Sequence, residues 1–291
     1  MIKSNIKVIE DFEIVKLIAQ NIGFNKTRNL LYKNIYNQLG KIDSQDVKNI
    51  YDAEYFDKIV SQSPSRIING IKVNTYIDIS IKYFEKINNK NIHILDFGCG
   101  AGNFVLALGS LGYKVDGIDY YEEGIALANK KAKELGINNL CAFYSDFQKI
   151  KENSFNYIVL SDVVEHISKN ELKILLNNLK RYLVTGGEII VHTPNGYTHE
   201  WGPNRRRIFD LYFFIKNTWM YFKSKDLKLE KIKQAYYDQV HINIMTPKEL
   251  KIIMMESGFN DFEIKYVDIF FQLLLRFKIS GSFWLKCKKI D

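Results

Sequence analysis

The 291-residue chain has three cysteines, Cys99, Cys141 and Cys287. They are odd in number and widely spaced, and they form neither a CxxC pair nor a Cys/His zinc pattern. That argues against a disulfide framework and against structural zinc. No run of about 18 apolar residues occurs, so no membrane-spanning helix is expected. The opening residues, MIKSNIKVIEDFEIVKL, lack the apolar centre of a secretory signal. Internal repeats and low-complexity linkers are also missing. The net charge is +8, from 41 basic and 33 acidic residues, without a recognition motif beside it. No nucleic acid partner is therefore expected. Together these absences set the expectation of a soluble, cytoplasmic protein. The 46% of apolar residues suffices for a buried core and excludes a disordered chain.

Two textures divide the chain. Residues 1–88 carry apolar positions at helical spacing, as in FEIVKLIAQNIGF, TRNLLYKNIYNQLG, SQDVKNIYDAEYFDKIV and VNTYIDISIKYFEKI. They read as a helical N-terminal extension. From residue 89 short apolar runs alternate with helical patterns, the signature of an α/β domain with a parallel sheet, here 89–291. Ser168 and Glu171 have capping-box spacing, as do Thr246 and Glu249, with Pro247 in the first helical position. Gly136, Gly186 and Gly258 stand where helices should stop. Residues 196–240 break the alternation with a long aromatic and basic insertion. Two strand-like runs, FEIKYVDIFF and GSFWLKCKKI, close the chain.

The most informative stretch is HILDFGCGAGNF, residues 93–104. An apolar strand runs into Gly98, Gly100 and Gly102, and a helical pattern follows. Such a loop lets backbone approach a nucleotide-like ligand closely. The spacing is GxGxG, and Asp96 stands two residues before the first glycine. A carboxylate there repels a pyrophosphate and attracts an ammonium group. Asp119 ends the next strand, 23 residues on, at an offset that suits ribose hydroxyls. Asp146 ends the one after, placed to accept from an adenine amine with Phe147 packing on the ring. An amino acid, a ribose and an adenine make S-adenosylmethionine. Cys99, Tyr120 and Ser161 complete the expected cofactor-binding set. Each acid taken singly has a plainer reading, as a helix N-cap at a strand end, and Cys99 reads as a packing residue rather than a nucleophile.

ILDFGCGAGNF, GIDYYEEGIALA, YSDF and IVLSDVVEHI resemble the successive motifs of class I S-adenosylmethionine-dependent methyltransferases. DQVHINIMTPKELKIIMMESGF is similar to the region before the last strands in small-molecule members. Residues 1–50 match no motif of that family. The resemblance implies a Rossmann-like seven-stranded, mostly parallel sheet whose last strand is antiparallel; the broken alternation over 196–240 reads as a lid insertion over the strand ends. It also implies transfer of a methyl group.

Methyl transfer to a hydroxyl needs alignment, exclusion of water and a destination for the proton. His166 follows the fourth strand and titrates near neutrality, which suits a base. Asp162, Glu165 and His166 also resemble the metal-binding acid-x-x-Glu-His of ubiquinone-biosynthesis O-methyltransferases, which implies a divalent ion such as magnesium that lowers the pKa of a phenol. The alternative is that Glu165 and His166 cap the next helix. Asp162, His192 and His241 are further catalytic candidates. Arg205, Arg206 and Arg207 suit an anionic acceptor, such as a sugar phosphate or a lipid-linked precursor, or else form a solvated loop. RRRIFDLYFFIKNTWMYFKSK suits a lid or a peripheral membrane contact. The expected activity is methylation of a small-molecule hydroxyl, on a sugar or glycan precursor or on a phenol. The rivals are a non-catalytic S-adenosylmethionine-binding protein and a methyltransferase of RNA or protein. Against the last, no Asn/Asp-Pro-Pro-Tyr motif follows the fourth strand.

Overall fold

A computed structural model describes residues 64–198, 241–267 and 281–290, with a few helical positions between 15 and 31. Asn69 and Gly70 both take positive φ, 46° and 83°. A two-residue hairpin turn needs that backbone, and Asn-Gly supplies it at least cost. The turn joins β1 (Arg66–Ile68) to β2 (Ile71–Val73) as an antiparallel pair. The helical expectation for residues 1–88 is thus corrected over 66–73. Alternation there buries Ile68, Ile71 and Val73 and exposes Ile67.

The helical expectation holds in α1 (Thr75–Ile87). Asn74 caps it by accepting from the Ile77 N–H at 2.9 Å, and Asn88 ends it in the left-handed region. Ile81 and Phe84 on its inner face are fully buried in the core of the sheet, and the Tyr113 hydroxyl donates to the Phe84 carbonyl at 2.7 Å. The helix therefore packs as part of the α/β domain. Phe84→Ala is expected to cost about 3–5 kcal/mol, the usual effect of truncating a buried aromatic; denaturant titration measures it, and a loss below about 1 kcal/mol refutes the packing.

The sheet follows from alternating strands and helices: β3 (His93–Phe97), α2 (Asn103–Ser110), β4 (Lys114–Ile118), α3 (Glu122–Glu134), β5 (Cys141–Tyr144), β6 (Phe155–Ser161), α4 (Lys169–Tyr182), β7 (Leu183–Pro194), α5 (Pro247–Glu256), β8 (Phe259–Tyr266) and β9 (Ser282–Lys289). The strand order is β5-β4-β3-β6-β7-β9-β8. The first five strands in that order pair in parallel, and β9 runs antiparallel to both β7 and β8. The Rossmann-like sheet with an antiparallel last strand is as expected. Its order reverses between β3 and β6, where open α/β sheets bind ligands at the strand ends.

Local signals match the structure at both capping boxes, Ser168 with Glu171 and Thr246 with Glu249. Gly136 and Gly258 follow their helices with positive φ. Gly186 does not end a helix. α4 stops at Tyr182, β7 begins at Leu183, and Gly186 (φ 69°) lies in the irregular start of that strand, where the register against β6 shifts. Of the insertion, residues 199–240 lie outside the described residues, as do Arg205, Arg206 and Arg207. Among the described residues no helix is long and apolar enough to cross a membrane.

Candidate active site

Gly98, Gly100 and Gly102 all take positive φ, 80°, 52° and 77°. Space demands glycine as well. A Cβ on Gly98 would lie 2.6 Å from Val163, and one on Gly102 would lie 2.5 Å from Phe143. Four of the loop's amides are already used. Gly98 and Cys99 both donate to the Ile118 carbonyl, at 2.8 and 3.1 Å, and Gly102 donates to the Cys99 carbonyl at 2.9 Å. Gly100 donates to the Asp119 carboxylate at 2.8 Å. A phosphate cradle needs such N–H groups free. This loop offers carboxylates instead.

Asp96 is 4% exposed, and burial, then the nearby Asp119, pushes its carboxyl up to about 8. Such a group ionises readily only when a cation arrives. Asp119 is also raised, chiefly by burial, although its oxygens accept from the backbone of Gly100 and Tyr121. Each oxygen keeps a second lone pair for a ligand hydroxyl. Tyr120 beside it is 48% exposed. Cys99 packs its sulfur against Gly117, and burial raises its thiol well above the usual value. It is a packing residue. Asp146 is exposed and caps a short 3₁₀ turn, accepting from the Gln148 N–H at 2.9 Å. Phe147 lies in an aromatic row with Phe97 and Tyr182, at 5.3 and 5.5 Å between ring centres. Its ring is thus engaged in the protein's own packing.

Across the switch point, Ser161 ends β6 in register with His192 of β7. Asp162 follows in the left-handed region (φ 54°). Its Oδ1 lies 2.7 Å from His192 Nδ1. Desolvation raises the Asp162 carboxyl, but His192, and then the charges of His166 and His241, outweigh it and hold the group below its usual value. An ionised carboxylate only accepts, so Nδ1 carries the proton in this pair.

Glu165 is 1% exposed and accepts from the Thr193 hydroxyl at 3.0 Å. Burial, then the Asp162 charge, raises its carboxyl well above the usual value. His166 and His241 come together with ring centres 4.9 Å apart. Glu165, His166 and His241 each present one ligand atom, all within 4.8 Å of one another. A buried carboxylate beside two imidazoles is a donor set that fits a divalent cation. Of the expected ligand set, Glu165 and His166 come together with His241, while Asp162 turns its Oδ1 to His192. Glu165 and His166 do not cap the next helix, since Ser168 does. The segment carrying His241 is fixed by the Asn243 N–H donating to the Glu165 carbonyl at 3.0 Å and by its side chain donating to the Val164 carbonyl at 3.2 Å.

Sequence reasoning missed Tyr76 and Trp284. Their rings lie 4.5 and 4.6 Å from that of His192. No local pattern points to either. One comes from the first turn of α1, and the other faces His192 only through the β7–β9 register.

A family model described as a methyltransferase domain matches residues 72–264. The ubiquinone biosynthesis O-methyltransferase of Rickettsia canadensis is 29% identical over 129 residues, covering 44% of this chain and 52% of that protein. This chain thus spans about half the length of that relative. The release factor glutamine methyltransferase of Buchnera aphidicola subsp. Baizongia pistaciae is 26% identical over 203 residues, 69% of each protein. In fold, the chain is similar to the magnesium protoporphyrin IX methyltransferase of Synechocystis solved with bound S-adenosylhomocysteine. The TM-score is 0.54 at 15% identity, over 85% of this chain and all of that one. Since the family match runs from β2 into β8 and takes in the glycine loop and the switch point, this chain belongs to the class I S-adenosylmethionine-dependent methyltransferases.

Proposed function

We propose that this chain methylates a hydroxyl oxygen of a small molecule, of phenol or sugar type. The observation that carries the reading is the Glu165–His166–His241 cluster at the end of β6, beside the Asp162–His192 pair. A hydroxyl is a poor nucleophile at neutral pH and needs help to expose its oxygen charge. The relatives named for ubiquinone biosynthesis support an oxygen acceptor. After β6 the chain reads Ser161-Asp162-Val163-Val164, without the prolines expected for methylation of glutamine or base amines.

In this reading Asp96 ionises to meet the cofactor's ammonium group, and Asp119 accepts from the ribose hydroxyls. Tyr120, Asp146 and Phe147 border the adenine. Bound S-adenosylmethionine supplies an electrophilic methyl group on a sulfonium. Glu165, His166 and His241 would hold a divalent ion, which supplies a Lewis acid for the acceptor oxygen. The described fold breaks off after Thr198 and resumes at His241, and both flanks are tied beside the site: the Gly196 N–H donates to the Met245 carbonyl at 2.9 Å and the Asn243 N–H to the Glu165 carbonyl at 3.0 Å.

The test is to incubate the chain with methyl-labelled S-adenosylmethionine and separated small-molecule, RNA and protein fractions of a cell extract. Label is expected in the small-molecule fraction, as a methyl ether. Label in RNA or protein, or none despite cofactor binding, overturns the reading.

A further inference from the structure

We propose that His192 and Trp284 form the docking point for the acceptor hydroxyl, and that His192, positioned by Asp162, takes its proton. This rests on the functional reading above and names the groups that act on the nucleophile.

Among the described residues, the buried nitrogens without a hydrogen-bond partner include Nε2 of His192 and Nε1 of Trp284. The His192 side chain is 2% exposed and Trp284 is 8% exposed. They are direct partners in the β7–β9 register, with rings 4.6 Å apart. One orphaned polar atom in a core costs stability, and two on neighbouring rings, one of them held by Asp162, point to a ligand that satisfies them.

Their chemistry calls for a ligand group that both donates and accepts. With Nδ1 protonated toward Asp162, His192 Nε2 presents a lone pair and accepts. The indole N–H only donates. A hydroxyl matches both at once, giving its proton to Nε2 and accepting from Trp284 through its oxygen. A carbonyl has no proton to give, and an ammonium has no lone pair to accept with.

The aim of His192 is enforced. Asp162 occupies left-handed backbone, a strained state for a residue with a Cβ. There its N–H donates to the His192 carbonyl at 3.1 Å while its carboxylate holds Nδ1 at 2.7 Å. Backbone and side chain of one residue thus fix both ends of the other. Tyr76, 40% exposed on the first turn of α1, has its ring centre 4.5 Å from that of the imidazole.

In the reaction, the hydroxyl proton passes to Nε2 as the oxygen bonds to the methyl carbon. The carbon–sulfur bond breaks, its electron pair stays on sulfur, and S-adenosylhomocysteine leaves. The imidazolium is stabilised by Asp162 and returns its proton to solvent after product release.

Two measurements test this. In the first, nitrogen NMR of ¹⁵N-histidine-labelled chain with S-adenosylhomocysteine is expected to show His192 with a proton on Nδ1 and a bare Nε2. A proton on Nε2 in place of Nδ1 overturns the proposal, and this readout needs no variant to fold. The second is the rate of label transfer from methyl-labelled S-adenosylmethionine into the small-molecule extract. His192→Gln is expected to lose about 10²–10⁴-fold, the range for acid–base catalysis, with cofactor affinity unchanged by calorimetry. Asp162→Asn is expected to lose rate likewise, and Asp162→Glu to recover part of it. Trp284→Phe is expected to need more extract for half-maximal rate. His192→Gln at the wild-type rate defeats the proposal while leaving the functional reading intact. A wild-type chain that transfers nothing defeats both.

Discussion

Replacing His166 or His241 by alanine is expected to cut turnover about 10²–10⁴-fold while leaving cofactor affinity unchanged. A chelator is expected to do the same to the unmodified chain. The two residues lie 75 positions apart in sequence, yet their rings sit 4.9 Å from each other and within ligand distance of Glu165. Glu165 is 1% exposed and pushed toward its neutral form, so an ionised Glu165 needs a cation beside it. The donor set also bears on which cation. Magnesium prefers oxygen ligands, whereas two imidazoles and one carboxylate suit zinc, iron or manganese better. After chelation, manganese or zinc is therefore expected to restore activity at lower concentration than magnesium. Glu165→Ala is expected to fail as His166→Ala does. Binding of cobalt, followed by its visible absorption, is expected in the wild-type chain and lost in both histidine variants. A chelator without effect, together with near-normal turnover of His166→Ala, rules out this role for the cluster.

The affinity for S-adenosylmethionine is expected to rise with pH from 6 to about 8 and then to fall. Asp96 is the cause of the rising limb. Its carboxyl lies at about 8 in the folded chain, against an ordinary aspartate value of 3.8. A folded-state value above the unfolded one means stability that is fully present below the unfolded pKa and lost as pH rises through the folded one. For this group the window runs from about 3.8 to 8. Below 8 the empty site thus holds a proton on Asp96, and a cationic ligand must expel it. Expelling one proton makes affinity grow by up to about tenfold per pH unit. Above 8 the ligand's own α-amino group, with a pKa of about 7.7–8.0, loses the charge that Asp96 attracts. Calorimetry in two buffers of different ionisation enthalpy reads both the affinity and the released proton. Asp96→Asn is expected to flatten the rising limb and to weaken binding at pH 8. An unmodified chain with constant affinity between pH 6 and 8, and no proton release, contradicts this account of Asp96.

What the sequence alone determined about this protein is whatever rests on neighbours within one element or one turn. Ser168 with Glu171 and Thr246 with Glu249 are three residues apart, and each box closes as its spacing dictates. The strand–glycine–helix passage from His93 to Ser110 was legible for the same reason, because three positive-φ glycines in five residues permit few other paths. So was the α/β class, which needs only the alternation of periods. Even local signals compete, however. Residues 66–73 carry enough apolar spacing to pass for helix, and the Asn69-Gly70 turn decides otherwise. Gly186 resembles a helix end because a glycine that follows a helix and one that bends a strand look alike in sequence. The site was decided by tertiary structure. The sequence groups Asp162 with Glu165 and His166, and the parallel β6–β7 register, which sets Ser161 beside His192, brings its carboxylate to the His192 ring. Glu165 points instead to Thr193, the next residue along β7. His241 joins Glu165 through hydrogen bonds made across more than 70 residues of chain. Trp284 meets His192 because β9 inserts antiparallel between β7 and β8. Local periodicity says which face a residue occupies on its own element. Which faces meet depends on strand order and register, and those are set by how the whole core buries its apolar surface.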